Sequence, residues 1–188
     1  MSNNKNETDI YIKILQSSIQ NITENLLNIV SASDLKIITI ESMTGGGIIN
    51  VLTNVPGYSN HIYGSLVVYH NDAKNELLGN FDESVYSKNY AKKMCSDALS
   101  KYTADIALSI TGNADPSDPL SDDYTSVFYC GIGINKTSDN TIIVISRKFI
   151  LKKPILLAHK INNIERRELV KIMAIKKVLS YLYKTLSN

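Results

Sequence analysis

The sequence predicts an α/β fold, a three-layer sandwich with a mixed, mostly parallel central sheet and helices on both faces. Three observations predict it. Short β-branched runs alternate along the chain with segments of helical period. Those runs are almost continuously apolar, which marks strands buried on both faces by covering helices. Two late strand runs face each other across a polar turn, adding an antiparallel pair to an otherwise parallel pattern.

Taken in order, Ile10 to Val30 carries Ile12, Ile14, Leu15, Ile19, Ile22, Leu26, Leu27 and Ile29 at helical spacing and predicts a leading amphipathic helix. Residues 1–8 are polar and expected to be flexible. Leu35 to Ile40 reads as a strand, and Gly45 to Thr53 as a helix stopped by the turn signal Asn54-Val55-Pro56-Gly57. Ile62 to His70 is the next strand. A helix follows from Asn71-Asp72 to Gly79, with capping chemistry at both ends. Ser87 to Tyr102 is helical, Asp105 to Thr111 is a strand, and Gly112 to Asp123 is a loop rich in Pro, Asp and Ser. Thr125 to Ile134 and Thr141 to Leu151 form a hairpin across Asn135 to Asn140, and a helix from Ile161 to Leu186 closes the chain.

Composition excludes more than it identifies. At 188 residues and 44% hydrophobic, residues 1–188 can bury one full core and are expected to be a single domain. A net charge of +2 announces neither a nucleic-acid nor a membrane-surface partner. No apolar run approaches the roughly 18 residues of a membrane span, and the N-terminus lacks a signal pattern, so a cytoplasmic protein is expected. Cys95 and Cys130 fall in a helix run and a strand run and read as buried reduced thiols. The Asn-x-Thr triplets at Asn6, Asn21 and Asn135 are then chance matches.

Ligands of such sheets collect at the carboxyl ends of strands, which singles out the loops after Ile40, Tyr69 and Ile110. The first of these, Glu41-Ser42-Met43-Thr44-Gly45-Gly46-Gly47, presents a hydroxyl and opens a helix through three glycines. A dinucleotide fingerprint needs Gly where Asn50 stands, and no Gly-Lys-Ser/Thr of a phosphate-binding loop is present. The remaining reading is a turn that exposes backbone N–H groups to an oxyanion, against the plainer one that glycine lets helix and sheet pack closely. Ser42 needs a base. His70 could approach it, whereas His61 and His159 fall at boundaries that read as surface. Lys74, one short turn past the second strand, is the alternative, because a desolvated lysine loses part of its preference for the charged form. Tyr69 could orient Lys74 or relay a proton. The plain reading of any lysine after a strand is a solvated charge. Ser33-Asp34-Leu35-Lys36 matches a Ser-x-x-Lys pattern but enters a strand instead of opening a helix, so it is set aside. No His/Cys/Asp set stands at metal-ligand spacing, so neither a catalytic metal nor any other cofactor is expected.

Four ordered segments carry a family resemblance: Glu41 to Gly46, Leu52 to Ser59, Tyr69 to Gly79 and Ala104 to Gly112. Together they resemble the CinA C-terminal domain family over nearly the whole chain, Ile10 to Leu186. That family includes the stand-alone nicotinamide-nucleotide amidase, which converts nicotinamide mononucleotide and water to nicotinate mononucleotide and ammonia. The molybdopterin-binding-like partner domain of full-length CinA is not expected here. The resemblance implies Ser42 as nucleophile, assisted by Tyr69 and Lys74, with the amides of Thr44 to Gly46 holding the oxyanion. It implies a substrate-binding set of Thr44, Gly45, Gly46, Asn71, Thr111, Gly112 and Arg167, the last for a substrate phosphate, with Arg166 on the solvated face. It also implies a pyridine-nucleotide ligand and a homodimer.

Two departures stand out. The family's glycine-rich third loop is replaced by Thr111-Gly112-Asn113-Ala114-Asp115-Pro116, and Asp118, Asp122 and Asp123 follow. Carboxylates facing a phosphate site repel the ligand, so either this loop turns outward or substrate preference has changed. Met43 also replaces the common Cys beside the nucleophile. Three functions follow from the sequence: an active amidase, an idle ligand-binding or regulatory relative, and nucleic-acid binding through Lys152, Lys153, Lys160, Arg166, Arg167, Lys171, Lys176 and Lys177. The third is unfavoured, because such a run is usually a solvated helix face.

Overall fold

The computed structural model describes residues 2–79, 81, 83–114, 126–136, 141–151 and 163–187, of which 2–7 and 163 are described by backbone only. Among the described residues, five helices and five strands follow in this order: α1 Ser2–Ala32, β1 Ile37–Glu41, α2 Gly47–Thr53, β2 Ile62–Val67, α3 Asn71–Leu78, α4 Lys88–Lys101, β3 Ile106–Gly112, β4 Ser126–Lys136, β5 Thr141–Leu151 and α5 Asn163–Leu186. The α/β sandwich expected from the pattern is the fold. The leading helix starts at Ser2, ahead of the expected Ile10. A 3-10 turn at Tyr58–Asn60 was not expected; it follows Gly57, whose φ of 102° suits glycine best.

The strands form one sheet in the order β2-β1-β3-β4-β5. β1 lies parallel to both β2 and β3, whereas β3 to β4 and β4 to β5 are antiparallel. The sheet is therefore mixed, but "mostly parallel" needs correction. β4 and β5 are eleven residues long against five to seven for the others, so the antiparallel ladders carry most of the pairing. Long hairpin arms read as single strands from sequence, and their length sets the balance.

Side-chain alternation divides the core. Ile37, Ile106, Leu108, Ile110, Phe128, Cys130 and Ile132 face α1, α2 and α5. Ile38, Ile40 and Ala107 face α4, with Met94, Cys95 and Ala98 opposite. Both cysteines are free and buried, in a helix and a strand as expected. On the α4 face, Gly131 permits unusually close packing, since a Cβ there would stand 2.3 Å from the Ala91 carbonyl oxygen. Ser109 seals the same spot, its hydroxyl donating to Ala91 O and accepting from Gly131 N–H.

His61 corrects the surface reading. It is buried, and its Nδ1 lies 3.1 Å from Leu35 O, tying the start of β2 to the start of β1. His159 lies outside the described residues. Among the described residues, no helix is long and apolar enough to cross a membrane.

Candidate active site

β1 and β3 are buried along their whole length, and β1 lies between β2 and β3. The three loops singled out by the sequence therefore leave the same edge of three parallel neighbours. Ser42 is pinned there by backbone: its N–H donates to Ile110 O at 3.1 Å, while Glu41 O accepts from Val68 N–H at 2.8 Å. The residue is 5% exposed, and its hydroxyl makes no hydrogen bond among the described residues.

Glu41 shapes the turn that follows. Its buried carboxylate accepts from Thr44 Oγ1 and Ile48 N–H through Oε2 at 2.7 and 2.9 Å. Through Oε1 it accepts from Ile49 N–H at 2.8 Å and Thr39 Oγ1 at 3.3 Å. The carboxylate thus stands in for a cap at the start of α2, where Gly46 has no side chain to serve. Gly45 and Gly46 take φ of 63° and 92°, which lets the chain reverse between Ser42 and α2. The expected row of free amides is shorter than predicted. Gly45 N–H donates to Ser42 O at 3.1 Å, whereas the N–H groups of Thr44 and Gly46 have no acceptor among the described residues. The Thr44 hydroxyl is likewise committed to Glu41.

Lys74 lies on α3, and its whole side chain is enclosed: the residue is 2% exposed. Its Nζ donates to Asn71 Oδ1 at 3.2 Å and sits 5.8 Å from the Tyr86 ring centre. Among the described residues no carboxylate pairs with it. Burial therefore holds the Lys74 ammonium below the usual lysine range. The solvated-charge reading fails for this lysine. Neighbouring contacts tie its surroundings to β3, beside the serine: Val85, next to Tyr86, accepts from Thr111 Oγ1 at 2.8 Å, and Ile110 O holds Ser42 N–H.

Other expected residues are placed differently. β2 ends at Val67, so Tyr69 and His70 lie in the connection to α3. Tyr69 is 56% exposed, and its hydroxyl accepts from Arg167 Nη2 at 2.6 Å. His70 is exposed and caps α3, accepting from Asp72 N–H at 3.3 Å. No hydrogen bond joins Ser42, Lys74 and Tyr69 to one another. Thr111 spends its hydroxyl on Val85, and Gly112 serves close strand approach, since a Cβ there would stand 2.5 Å from Phe128 Cβ. Arg166 is half-buried, not on an open face. The acidic positions Asp115, Asp118, Asp122 and Asp123 lie outside the described residues, as do Lys152, Lys153 and Lys160.

Sequence reasoning passed over two residues. Glu41 stands in the glycine-turn motif with no role predicted for it; its signal is an acid ending a buried strand before a helix that lacks a capping side chain. Lys171 was assigned to a solvated helix face. Its Nζ lies 3.8 Å from where a Cβ of Gly45 would stand, a proximity that only the fold creates.

Comparison with known proteins agrees with this architecture. The family model for the CinA C-terminal domain matches residues 19–151. A relative in Finegoldia magna bearing the competence-damage inducible name is 37% identical over 123 residues, 63% of this chain and 28% of its own length. A CinA-like protein of Chloroherpeton thalassium is 39% identical over 100 residues, 50% of this chain and 24% of its own. The chain thus spans less than a third of the curated relatives it matches. Among solved structures, the competence or damage-inducible protein of Enterobacter asburiae superposes with a TM-score of 0.71 at 20% identity, covering 89% of this chain and 98% of that one. The competence/damage inducible protein CihA of Agrobacterium tumefaciens gives 0.71 at 21%, covering 91% and 96%. At these identities the structures establish the fold alone.

Proposed function

We propose that this chain, which belongs to the CinA C-terminal domain family, is an amidohydrolase acting on the carboxamide of a pyridine nucleotide, in the manner of nicotinamide mononucleotide deamidation. One observation carries the reading: Lys74, a buried ammonium with no carboxylate partner among the described residues, stands at the sheet edge that also presents Ser42. A lysine desolvated in this way is readily neutral and can act as a base.

In the proposed reaction the neutral Lys74 amine takes the Ser42 proton as Oγ bonds to the carboxamide carbon. Negative charge on the carbonyl oxygen is met by the Thr44 and Gly46 N–H groups. The C–N bond then breaks, and the departing NH2 group receives a proton from Lys74 or through Tyr69, leaving as ammonia. Water, deprotonated by the same amine, attacks the Ser42 ester; the ester C–O bond breaks as Lys74 returns that proton to Ser42 Oγ, and the carboxylate product departs. Closing the gap between Ser42 and Lys74 falls to substrate binding, since hydrogen bonds of empty sites are often long. No resident cofactor is invoked. A cytoplasmic location and a homodimer belong to the same proposal, and sedimentation tests the dimer.

Purified protein given nicotinamide mononucleotide should release ammonia, and Ser42→Ala should abolish that release; undiminished release from the variant would remove Ser42 from the reaction. The missing hydrogen bond between Ser42 and Lys74 favours a second reading, a catalytically idle ligand-binding relative. It predicts thermal stabilisation by the nucleotide without turnover, and hydrolysis of any carboxamide rules it out.

A further inference from the structure

A second cavity, of about 530 Å3, opens between α1, β5 and the C-terminal half of α5, away from the catalytic edge. In the sheet order β5 is three strands from β1, about 14 Å at ordinary strand spacing, and neither Ser42 nor Lys74 lines this cavity.

Its floor is built from rings. Phe128, wholly buried, stacks on Phe149 at 5.1 Å and 14°, and Tyr181 meets Phe149 edge-on at 5.9 Å. Arg147 rests on this floor, its guanidinium carbon 5.3 Å from the centre of the Phe149 ring and 5.6 Å from that of Tyr181. A guanidinium held by ring faces keeps its N–H edge for an anion. Lys177, Tyr181 and Lys184 follow at i, i+4 and i+7 and so share one face of α5, and Lys176 lines the cavity beside them. On the opposite wall α1 contributes Tyr11.

Four cations therefore surround one space, and among the described residues no carboxylate lines it. Among those residues none of the four forms an ion pair. Like charges gathered around a cavity repel one another, and a bound polyanion reverses that cost. An ordinary solvated helix face has its lysines but neither the cavity nor the ring floor.

We propose that this cavity is a binding site for a nucleoside polyphosphate, separate from the amide site and independent of the amidohydrolase reading. Tyr11 gives the base a ring to stack on, while Phe149 and Tyr181 hold Arg147 in place. The phosphates take the Arg147 guanidinium, two oxygens at a time, and the ammonium groups of Lys177 and Lys184. The volume lies in the range that encloses small ligands, and four cations match a tri- or tetra-anion better than a single phosphate.

Calorimetric titration of the full chain with magnesium-free ATP tests this, with adenosine and inorganic tripolyphosphate as its separated halves. ATP should bind at least about tenfold more tightly than either half. The double variant Lys177→Gln, Lys184→Gln should weaken ATP binding about ten- to a hundredfold, and Arg147→Ala about tenfold. Tyr11→Ala should weaken ATP by about tenfold and leave tripolyphosphate unchanged. Arg147, Lys177 and Lys184 are exposed, so without ligand their variants should unfold at the parent's temperature. Absence of ATP binding, equal binding by parent and variants, or tripolyphosphate bound as tightly as ATP overturns the proposal. Salt-dependent binding of a single-stranded oligonucleotide without binding of ATP overturns it too, since this face would then be a nucleic-acid surface.

Discussion

Two buried charges stand at the same end of the sheet, and their surroundings are opposite. Glu41, on β1, accepts four hydrogen bonds, and both of its oxygens are used twice. The Lys74 ammonium, on α3, makes one hydrogen bond among the described residues, at 3.2 Å to a neutral amide. A buried charge whose bonding capacity is filled is stable as an ion and belongs to the scaffold. One left nearly bare is poised to give up its charge, as a proton carrier must. Burial alone separates neither residue from the other; the count of partners does.

Replacing Lys74 tests the reactive side of this contrast. Lys74→Met keeps the stem and removes the ammonium, and should lower ammonia release by about a thousandfold or more. Urea unfolding should show the variant as stable as the parent or more so at neutral pH, because an unpaired buried charge has been removed. A loss above about 1 kcal/mol would mean that Lys74 is structural.

Glu41 should behave in the reverse sense. Glu41→Ala strands the Ile48 and Ile49 N–H groups and the Thr44 hydroxyl, so unfolding free energy should fall by about 3–5 kcal/mol. Glu41→Gln retains one acceptor and should cost about half as much. If either variant unfolds like the parent, Glu41 does not hold the turn.

Lys74 also makes stability depend on pH. The folded-state pKa of Lys74 is lowered relative to the unfolded chain, so between that lowered value and the ordinary lysine value of about 10.4 the unfolded state binds more protons. The Lys74 contribution to stability therefore rises with pH across that window and is unfavourable below it. Lys74→Met should flatten this rise in urea titrations taken at successive pH values. An identical slope in both proteins would place the lysine in solvent.

The smallest effect is expected at Tyr69. It is exposed and, among the described residues, its hydroxyl bonds only Arg167, so Tyr69→Phe should shift stability by less than about 0.5 kcal/mol. If Tyr69 relays protons, activity should nevertheless fall by about tenfold or more, with KM little changed. Unchanged kcat leaves the proton transfers to Lys74 alone.

Much of this was legible in the chain. Apolar runs such as Ile37 to Ile40 and Ile106 to Ile110 state their burial directly, and the rule that ligands gather where strands end led to Ser42 and Lys74 before any coordinates. The helix start at Ser87 was readable too, and there the Ser87 hydroxyl accepts from Tyr90 N–H. Other features needed the fold. Glu41 acts on amides seven and eight positions later, across a turn whose path the sequence does not state. Lys171 meets Gly45 only because α5 packs along that turn, a contact spanning most of the chain. The enclosure of Lys74 depends on Tyr86 and on α3 folding back over the sheet edge, so a local pattern reads it as one more solvated lysine.

The most direct test is the pH dependence of ammonia release from nicotinamide mononucleotide in the parent chain and in Lys74→Arg. Arginine keeps the charge but does not give up its proton in this range. A parent rate that rises as one group loses a proton below the ordinary lysine value, and a variant inactive at every pH, is the predicted result. A Lys74→Arg protein that hydrolyses the amide at the parent rate, with the parent profile, would contradict it.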